Sequence, residues 1–385
     1  MSSGAVFLHI GLPKTGTTHL QNLLWHNRRR LSEAGVLYPG QNQRAHWAAA
    51  MDLQGSQLPG VPGALPRLLD EVGRFPGRVV VSHELFAWAT ADQVAEVMAG
   101  LGARDVHVVV TLRDFSRIVP ASWQERAKNR QVEPWVEFLE QVGQGPAGGH
   151  RFWRLQDAPS ILQRWAKEVP AERMHVVTIP PLGGDRDLLQ RRFASVVGFD
   201  ATTVEDPPPK ANESIGAVEV AVLQSVNRSA KGRLDWGAYR ALVKNFVVPQ
   251  MLASRPDQLR VVLPESSRSW VEAETRRTTE AVRSLGCEVV GDLDELAPVA
   301  FGADDDGRST AHPERVSPEE VQRATTDLVV DLLREVERLR REAANLGGGR
   351  GSHARRAIVE RGRSGRVTAL IAGWRRARRR RRAGG

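Results

Sequence analysis

The chain has 385 residues, of which 41% are hydrophobic and 26% are charged, and it contains one cysteine, Cys287. This length and composition are typical of a globular protein with one large domain and appendages, and they exclude fibrous and disordered proteins. One cysteine excludes an internal disulfide framework, and no cluster of residues has the spacing of zinc ligands. No apolar run approaches the roughly 18 residues of a membrane helix, and the N-terminal residues lack a secretory signal pattern. We therefore expect a cytoplasmic protein.

The net charge of +9 is unevenly distributed along the chain. Residues 350–385 hold thirteen arginines and one glutamate, a net charge of +12, whereas the other residues hold 41 basic and 44 acidic side chains, a net charge of −3. This tail contains VTALIAGW followed by RRARRRRR. Three interpretations stay open for it: peripheral contact with an anionic membrane, binding of another polyanion, or a solvated extension without a partner.

Apolar segments alternate with helical patterns through the first 200 residues, which predicts an α/β fold. The candidate strands are 5–10 (AVFLHI), 78–82 (RVVVS), 106–112 (VHVVVTL) and 173–179 (RMHVVTI), and the helical patterns are 17–34, 114–129 and 188–197. Each strand is a nearly continuous apolar run, as in strands that are covered on both faces. We therefore predict a parallel sheet with helices on both faces.

After the prolines at 207–209, helical patterns dominate at 214–228, 236–253 and 265–285, before the short strand CEVVG. We predict that 1–300 form the α/β domain with a helical continuation, 301–315 a linker, 316–347 an amphipathic helix, and 348–385 a flexible arginine-rich tail. Ser317 and Pro318 have the pattern of a helix start. The apolar stripe from Val329 to Leu346 fits either docking on the protein's own body or pairing with a second copy in a homodimer.

The segment GLPKTGTT, residues 11–18, joins the first strand to the first helix. A Walker A loop reads G-x-x-x-x-G-K-[ST]. Gly11 and Gly16 keep this glycine spacing, but Thr17 occupies the position of the lysine and Lys14 lies inside the loop. Glycines permit a sharp turn, and the N-terminus of the following helix attracts an anion. The segment therefore predicts a phosphate-binding loop on a P-loop-NTPase-like sheet, with its positive charge relocated.

Four other side chains complete this predicted anion site. Pro13 stiffens the turn, and the hydroxyls of Thr15, Thr17 and Thr18 are potential donors to phosphate oxygens. A strand-to-helix turn without a ligand is the alternative.

The segment HIGLPKTGTTHLQNLL resembles the 5′-phosphosulfate-binding loop of sulfotransferases, which use 3′-phosphoadenosine 5′-phosphosulfate (PAPS) as co-substrate. The arrangement G-x-P-K-x-G-[ST]-[ST] carries this resemblance, which extends over about residues 5–300 and is strongest to sulfotransferase-like proteins of actinobacteria. It implies that the loop binds the phosphosulfate and that Lys14 stabilises the departing phosphate oxygen. A sulfuryl group carries less charge than a phosphoryl group, so no metal ion is expected.

A second segment, VHVVVTLRDFSRIVPASWQE at 106–125, resembles the family's 3′-phosphate-binding segment. Arg113 would hold the 3′-phosphate, for which a planar guanidinium is well suited; a salt bridge with Asp114 is the alternative. The family commonly has a serine eight residues after this arginine, but position 121 is alanine. Ser122 is the candidate replacement and Ser116 a second one, although a shift of one residue turns a helical side chain by ~100°.

A third segment, RVVVSHELFAW, places His83 and Glu84 where sulfotransferases carry the catalytic base. Either side chain can remove a proton from an acceptor if its pKa suits the working pH. We favour Glu84, with His83 as the close second. As a structural alternative, Glu84 caps the helix that starts at Leu85 and His83 is a polar core contact. His46 falls where it could line an acceptor pocket or pack in the core.

The resemblance implies transfer of a sulfuryl group from PAPS to a hydroxyl or amine of a small-molecule, lipid or carbohydrate acceptor. Two other functions stay open at this point. A nucleotide kinase or NTPase would use the same fold with magnesium and ATP. A non-catalytic adaptor would use the loop and the arginine-rich tail to bind polyanions or membranes.

Overall fold

The computed structural model describes residues 4–185, 187–208, 214–299, 301–302, 310–311 and 313–347. The chain divides into two compact units, one of residues 1–119, 139–209 and 263–301, the other of residues 120–138, 210–262 and 302–385. Residues 303–309 and 312 of the predicted linker and the arginine-rich tail (348–385) lie outside the described residues.

The first unit is built on a six-stranded parallel sheet, which confirms the predicted α/β class. Its strands are β1 (Val6–Gly11), β2 (Val36–Leu37), β3 (Arg78–Ser82), β4 (Val106–Leu112), β5 (Met174–Thr178) and β7 (Glu288–Val290), in the order β2-β3-β1-β4-β5-β7. A separate parallel pair in the second unit joins β6 (Arg260–Val261) to β8 (Thr310–Ala311). The long strands lie within one residue of the predicted ones, whereas β2, β6 and β8 are too short to leave a sequence signal.

The helices are α1 (Thr17–His26), α2 (Arg28–Glu33), α3 (Ala45–Leu53), α4 (Ala64–Arg74), α5 (Ala91–Leu101), α6 (Phe115–Lys128), α7 (Trp135–Gly143), α8 (Trp153–Gln156), α9 (Ala158–Trp165), α10 (Leu188–Val197), α11 (Ala217–Ala230), α12 (Trp236–Tyr239), α13 (Arg268–Leu285) and α14 (Pro318–Gly347). A π-helix follows α12 at Arg240–Leu252. The predicted helix 17–34 is interrupted at Asn27. The side chain of Asn27 donates to Leu23 O at 2.9 Å and accepts from Glu205 N at 2.9 Å.

Alternating residues of the strands supply two cores, one on each face of the sheet. Val6, Leu8 and Ile10 belong to one cluster, together with residues of α3, α4, α5, α9 and α13. Phe7 belongs to the other, together with residues of α1, α2 and α10. Successive side chains of a strand point to opposite faces, so a fully apolar run is what two helical layers require.

The strand order places a topological switch between β1 and β4. From β1 the chain moves to β2 and β3 on one side, and from β4 it moves to β5 on the other. In open parallel sheets, ligands bind at the carboxyl ends of the strands where such a divergence opens a crevice. The loop after β1 and Arg113 after β4 both lie at the carboxyl ends of these two neighbouring strands.

The second unit has a core of helices. Tyr239 is fully buried, and its hydroxyl bonds Asn227 Oδ1 at 2.5 Å. In α14, Ala324 and Leu328 are buried, but Val329, Val330, Leu333 and Val336 are 41–63% exposed. No helix in the described part of the chain is both long enough and apolar enough to cross a membrane.

Candidate active site

The loop after β1 has an unusual backbone that ends at the start of α1. Gly11, Lys14 and Gly16 have φ angles of 93°, 66° and 79°, and Gly16 is the N-cap of α1. No side chain among the described residues caps this end, and the first turn contains no acidic residue. The first N–H groups of a helix lack intrahelical partners and, with the helix dipole, favour a bound anion.

Both glycines of the loop are in close contact with the elements around it. A Cβ atom at Gly11 would lie 2.7 Å from Glu84 Cβ, and one at Gly16 would lie 2.5 Å from Leu189 Cδ2. A side chain at position 11 would therefore displace the segment that carries the candidate base. The absence of a Cβ at Gly11 brings the phosphate loop and Glu84 together.

Lys14 and Arg113 meet at this loop. Lys14 is half-buried and adopts the left-handed backbone region, which is strained for a residue with a Cβ. Arg113 Nη1 donates to Lys14 O at 3.0 Å. A guanidinium has five N–H donors, so it can hold the loop and an anion at once. The arginine predicted to bind a second phosphate thus contacts the loop predicted to bind the first.

Asp114, the alternative partner predicted for Arg113, is fully buried, and its carboxylate bonds residues in the first turn of α6. Its carboxylate accepts from Ser116 Oγ at 2.5 Å and from Arg117 N at 3.0 Å, and it pairs with Arg117 Nε. Ser116 is also buried, and its hydroxyl accepts from Val299 N at 3.3 Å. Ser116 is therefore engaged inside the fold.

Ser122 is half-buried and lies in the part of α6 that belongs to the second unit. Pro120, two residues earlier, is inside the helix. The role of Ser122 at the 3′-phosphate stays a sequence-based prediction.

A series of hydrogen bonds between buried polar side chains connects the loop to the strands of the sheet. Thr15 is fully buried; its hydroxyl donates to Leu12 O and lies 2.5 Å from Thr111 Oγ1. Thr111 Oγ1 lies 3.3 Å from His9 Nε2, and His9 Nδ1 lies 2.8 Å from Ser82 Oγ. The Thr15 hydroxyl is thus directed into the protein, whereas Thr17 is buried at the helix start and Thr18 is exposed.

Which group donates at each step of this hydrogen-bonded series follows from its last acceptor, Leu12 O. Leu12 O only accepts, so the Thr15 proton goes to it and Thr15 accepts from Thr111. Thr111 then accepts from His9 Nε2–H. In the neutral ring, which burial favours, His9 Nδ1 has a lone pair and accepts from Ser82 Oγ–H. Burial lowers the pKa of His9 to about 4, with Glu84 opposing this shift and His83 adding to it.

The chain extends beyond Ser82 to His46. Ser82 N donates to His46 Nδ1 at 2.9 Å, so His46 Nε2–H donates to Pro39 O at 2.7 Å. His46 is 3% exposed, and burial lowers its pKa to about 4. Of the two interpretations of His46, the structure therefore supports packing in the core.

This network predicts a specific difference between two substitutions of His9. Leucine cannot form hydrogen bonds with the buried Ser82 and Thr111 hydroxyls. We therefore expect His9→Leu to lower the free energy of unfolding by about 2–4 kcal/mol. Glutamine offers an acceptor and a donor, so His9→Gln should cost much less. Urea unfolding at neutral pH measures both, and a leucine variant as stable as the wild type would contradict the donor order.

The pH dependence of the free energy of unfolding is a second measurement on the same variants. In the folded protein the pKa of His9 is about 4, below the ordinary histidine pKa of 6.5. The stability contributed by the neutral ring is therefore fully present above pH 6.5 and is lost as the pH falls toward 4. We expect wild-type stability to fall between these pH values and His9→Gln to lose less.

His83 and Glu84 have different surroundings. His83 is the N-cap of a 3₁₀ helix at Glu84–Trp88, and its Nδ1 accepts from Leu85 N at 3.1 Å. Burial lowers the pKa of His83, with the Glu84 carboxylate opposing this shift. Glu84 Oε2 accepts from Gln21 Nε2 at 3.2 Å, and the Glu84 side chain is 26% exposed. The helix cap expected of Glu84 is thus provided by His83.

Several residues of this site were not predicted from the sequence. His9, Ser82 and Thr111 are the polar residues near the carboxyl ends of otherwise apolar strands, a signal that could have identified them. Gln21 lies on α1 and carries no such signal. Among the described residues, no group of three or more His, Cys, Asp or Glu side chains is arranged to hold a metal ion.

Comparison with known proteins adds little to this geometry. No family model matches the sequence, and no curated protein matches it at a significant level. A solved sulfotransferase from Alicyclobacillus acidocaldarius is similar over 62% of this chain and 99% of its own, with 16% sequence identity and a TM-score of 0.33. A similarity at this level carries no conclusion about activity, so the function depends on the residues of the loop.

Proposed function

We propose that the protein is a sulfotransferase that moves a sulfuryl group from PAPS to a hydroxyl or amine of an acceptor. The hydrogen bond from Arg113 Nη1 to Lys14 O carries this proposal. It joins a guanidinium suited to a 3′-phosphate to a loop suited to a 5′-phosphosulfate, as a nucleotide with two separate anionic groups requires. A nucleoside triphosphate has its phosphates in one chain and no 3′-phosphate for this arginine to bind.

The donor would be held mainly by backbone and by two cations. The N–H groups at the start of α1 and the Lys14 ammonium would bind the 5′-phosphosulfate, and Arg113 would bind the 3′-phosphate. Thr15 would contribute its backbone, because its hydroxyl bonds Leu12 O. Thr17 and Thr18 remain proposed hydroxyl donors.

Glu84 is the better candidate for the base. The Nδ1 lone pair of His83 accepts from Leu85 N, so the neutral His83 ring carries its proton on Nε2 and offers no second lone pair. A carboxylate oxygen has several acceptor positions, so the bond from Gln21 leaves Glu84 able to take a proton.

The proposed reaction is an in-line displacement at sulfur. The acceptor O–H proton passes to the Glu84 carboxylate as the acceptor oxygen bonds to sulfur. The bond between sulfur and the 5′-phosphate oxygen breaks, and the negative charge on that oxygen is stabilised by Lys14 and the N-terminus of α1. The products are the sulfated acceptor and 3′,5′-bisphosphoadenosine.

Nucleotide binding distinguishes this proposal from a kinase or NTPase. We expect 3′,5′-bisphosphoadenosine to bind without magnesium, and Arg113→Ala to weaken it by about 10- to 100-fold because a charge-assisted contact is lost. Adenosine 5′-phosphate, which lacks the 3′-phosphate, is the matched ligand and should lose less affinity in Arg113→Ala, because only the bond that holds the loop at Lys14 O is lost. Calorimetric titration measures all four affinities. Magnesium-dependent ATP hydrolysis, or equal affinities for the two nucleotides, would contradict the proposal.

A further inference from the structure

A tryptophan with two arginines over it ends the 3₁₀ helix that begins at Glu84. The guanidinium carbons of Arg151 and Arg154 lie 5.3 and 5.7 Å from the centroid of the Trp88 ring. Trp88 is half-buried, and both arginines are exposed. Cation–π attraction holds each guanidinium near the ring. These three residues are called the Trp88 patch.

The Trp88 patch has an excess of positive charge. Within the described residues, neither Arg151 nor Arg154 forms an ion pair. Residues 144–156, which carry both, contain no aspartate or glutamate, and the carboxylate of the next residue, Asp157, is buried and pairs with Arg277 Nη2 at 2.8 Å. Two cations beside one ring repel each other, and an anion bound to either guanidinium would offset this repulsion and form charge-assisted hydrogen bonds.

The Trp88 patch is fixed to both parts of the candidate site. Arg164 Nη1 donates to the carbonyl oxygens on either side of Trp88, at 3.2 and 2.8 Å, which holds the end of the 3₁₀ helix in place. On α8, which carries Arg154, Gln156 Nε2 donates to Pro13 O of the phosphate loop at 2.9 Å. The base segment and the phosphate loop therefore both adjoin the patch.

We propose that the Trp88 patch is a subsite that binds an anionic group of the acceptor. Trp88 lies four residues after Glu84 in the 3₁₀ helix, roughly 8 Å along its axis at about 2 Å of rise per residue, and the two side chains point about 120° apart around that axis. The acceptor class is then a molecule whose reacting hydroxyl is separated from an anionic group by a distance on the order of 8 Å or more. This inference rests on the proposed function, because it places the hydroxyl at Glu84.

The test compares two probes that differ only in charge: an ω-hydroxyalkanoate spanning this distance and the primary alcohol of the same chain length. Binding of each is measured by calorimetry with 3′,5′-bisphosphoadenosine present. We expect the carboxylate probe to bind at least about tenfold more tightly, the size of one charge-assisted hydrogen bond. The double variant Arg151→Gln/Arg154→Gln should abolish this preference.

Arg29→Gln/Arg74→Gln is the matched control, because it removes the same charge from two exposed arginines that form only surface pairs with Glu33 and Asp70. It should keep the preference. Equal binding of the probes, binding of neither, or an unchanged preference in the Arg151/Arg154 variant would overturn the subsite. Failure to bind 3′,5′-bisphosphoadenosine would instead overturn the proposed function, since that affinity is measured separately in the same samples.

Discussion

Replacing Lys14 with alanine is expected to lower kcat for sulfuryl transfer by about 10²- to 10³-fold, the usual cost of removing one group that stabilises developing charge. The affinity for PAPS should fall less, because the charge on the 5′-phosphate oxygen grows only as the bond to sulfur breaks. Turnover with saturating PAPS and calorimetric titration with PAPS in the absence of an acceptor separate these two quantities.

The fold should tolerate this substitution. Lys14 has a positive φ of 66°, and alanine carries the same Cβ, so the backbone strain is similar in both proteins. The bond from Arg113 to the carbonyl of residue 14 does not involve the replaced side chain. Lys167→Ala, at an exposed position, is the control for loss of a lysine charge. A Lys14→Ala protein that unfolds while keeping its activity per folded molecule would refute the assigned role.

The second large effect is expected at Glu84. Glu84→Gln keeps the shape of the side chain but removes the proton acceptor, and loss of a general base typically lowers the rate by about 10²–10⁴-fold. The Gln21 amide contacts Glu84 from α1, so the glutamine should stay in place. The rate with saturating PAPS and acceptor checks this result.

His83→Asn, measured beside Glu84→Gln, decides between the two candidate bases. Asparagine is a good N-cap, and its side-chain oxygen can accept from Leu85 N as His83 Nδ1 does. If His83 is only a cap, His83→Asn should lower the rate by less than about tenfold, well short of the loss of a general base. A small loss for Glu84→Gln and a large one for His83→Asn would assign the base to His83.

The long strands and the glycine-containing turn into α1 were predictable because their signals are local. A fully apolar run of six residues indicates a doubly covered strand, and the glycine spacing of Gly11 and Gly16 marks the turn into α1. The inward direction of the Thr15 hydroxyl could not be read in this way. It depends on Thr111, 96 residues away, and on the pairing of His9 with Ser82 in parallel strands.

The different contacts of His83 and Glu84 could not be predicted from the sequence for the same reason, because they depend on the folded backbone. The sequence shows two adjacent ionisable residues, but the cap bond of His83 appears only once its backbone is extended, with φ −159° and ψ 135°. The contact of Arg113 with the loop likewise requires β4 to lie beside β1 in the sheet. The types of residue at the candidate site were therefore predictable from the sequence, whereas the contacts that each residue makes depended on strand register and backbone direction.

Incubation with PAPS and a panel of hydroxyl and amine acceptors tests the central claim most directly, with mass spectrometry of both the acceptors and the nucleotide. We expect one acceptor to gain a single SO₃ group while an equal amount of 3′,5′-bisphosphoadenosine appears, without added magnesium, and we expect Lys14→Ala to suppress both products together. Binding of PAPS followed by no transfer to any acceptor class, or transfer that is unaffected by Lys14→Ala, would contradict it.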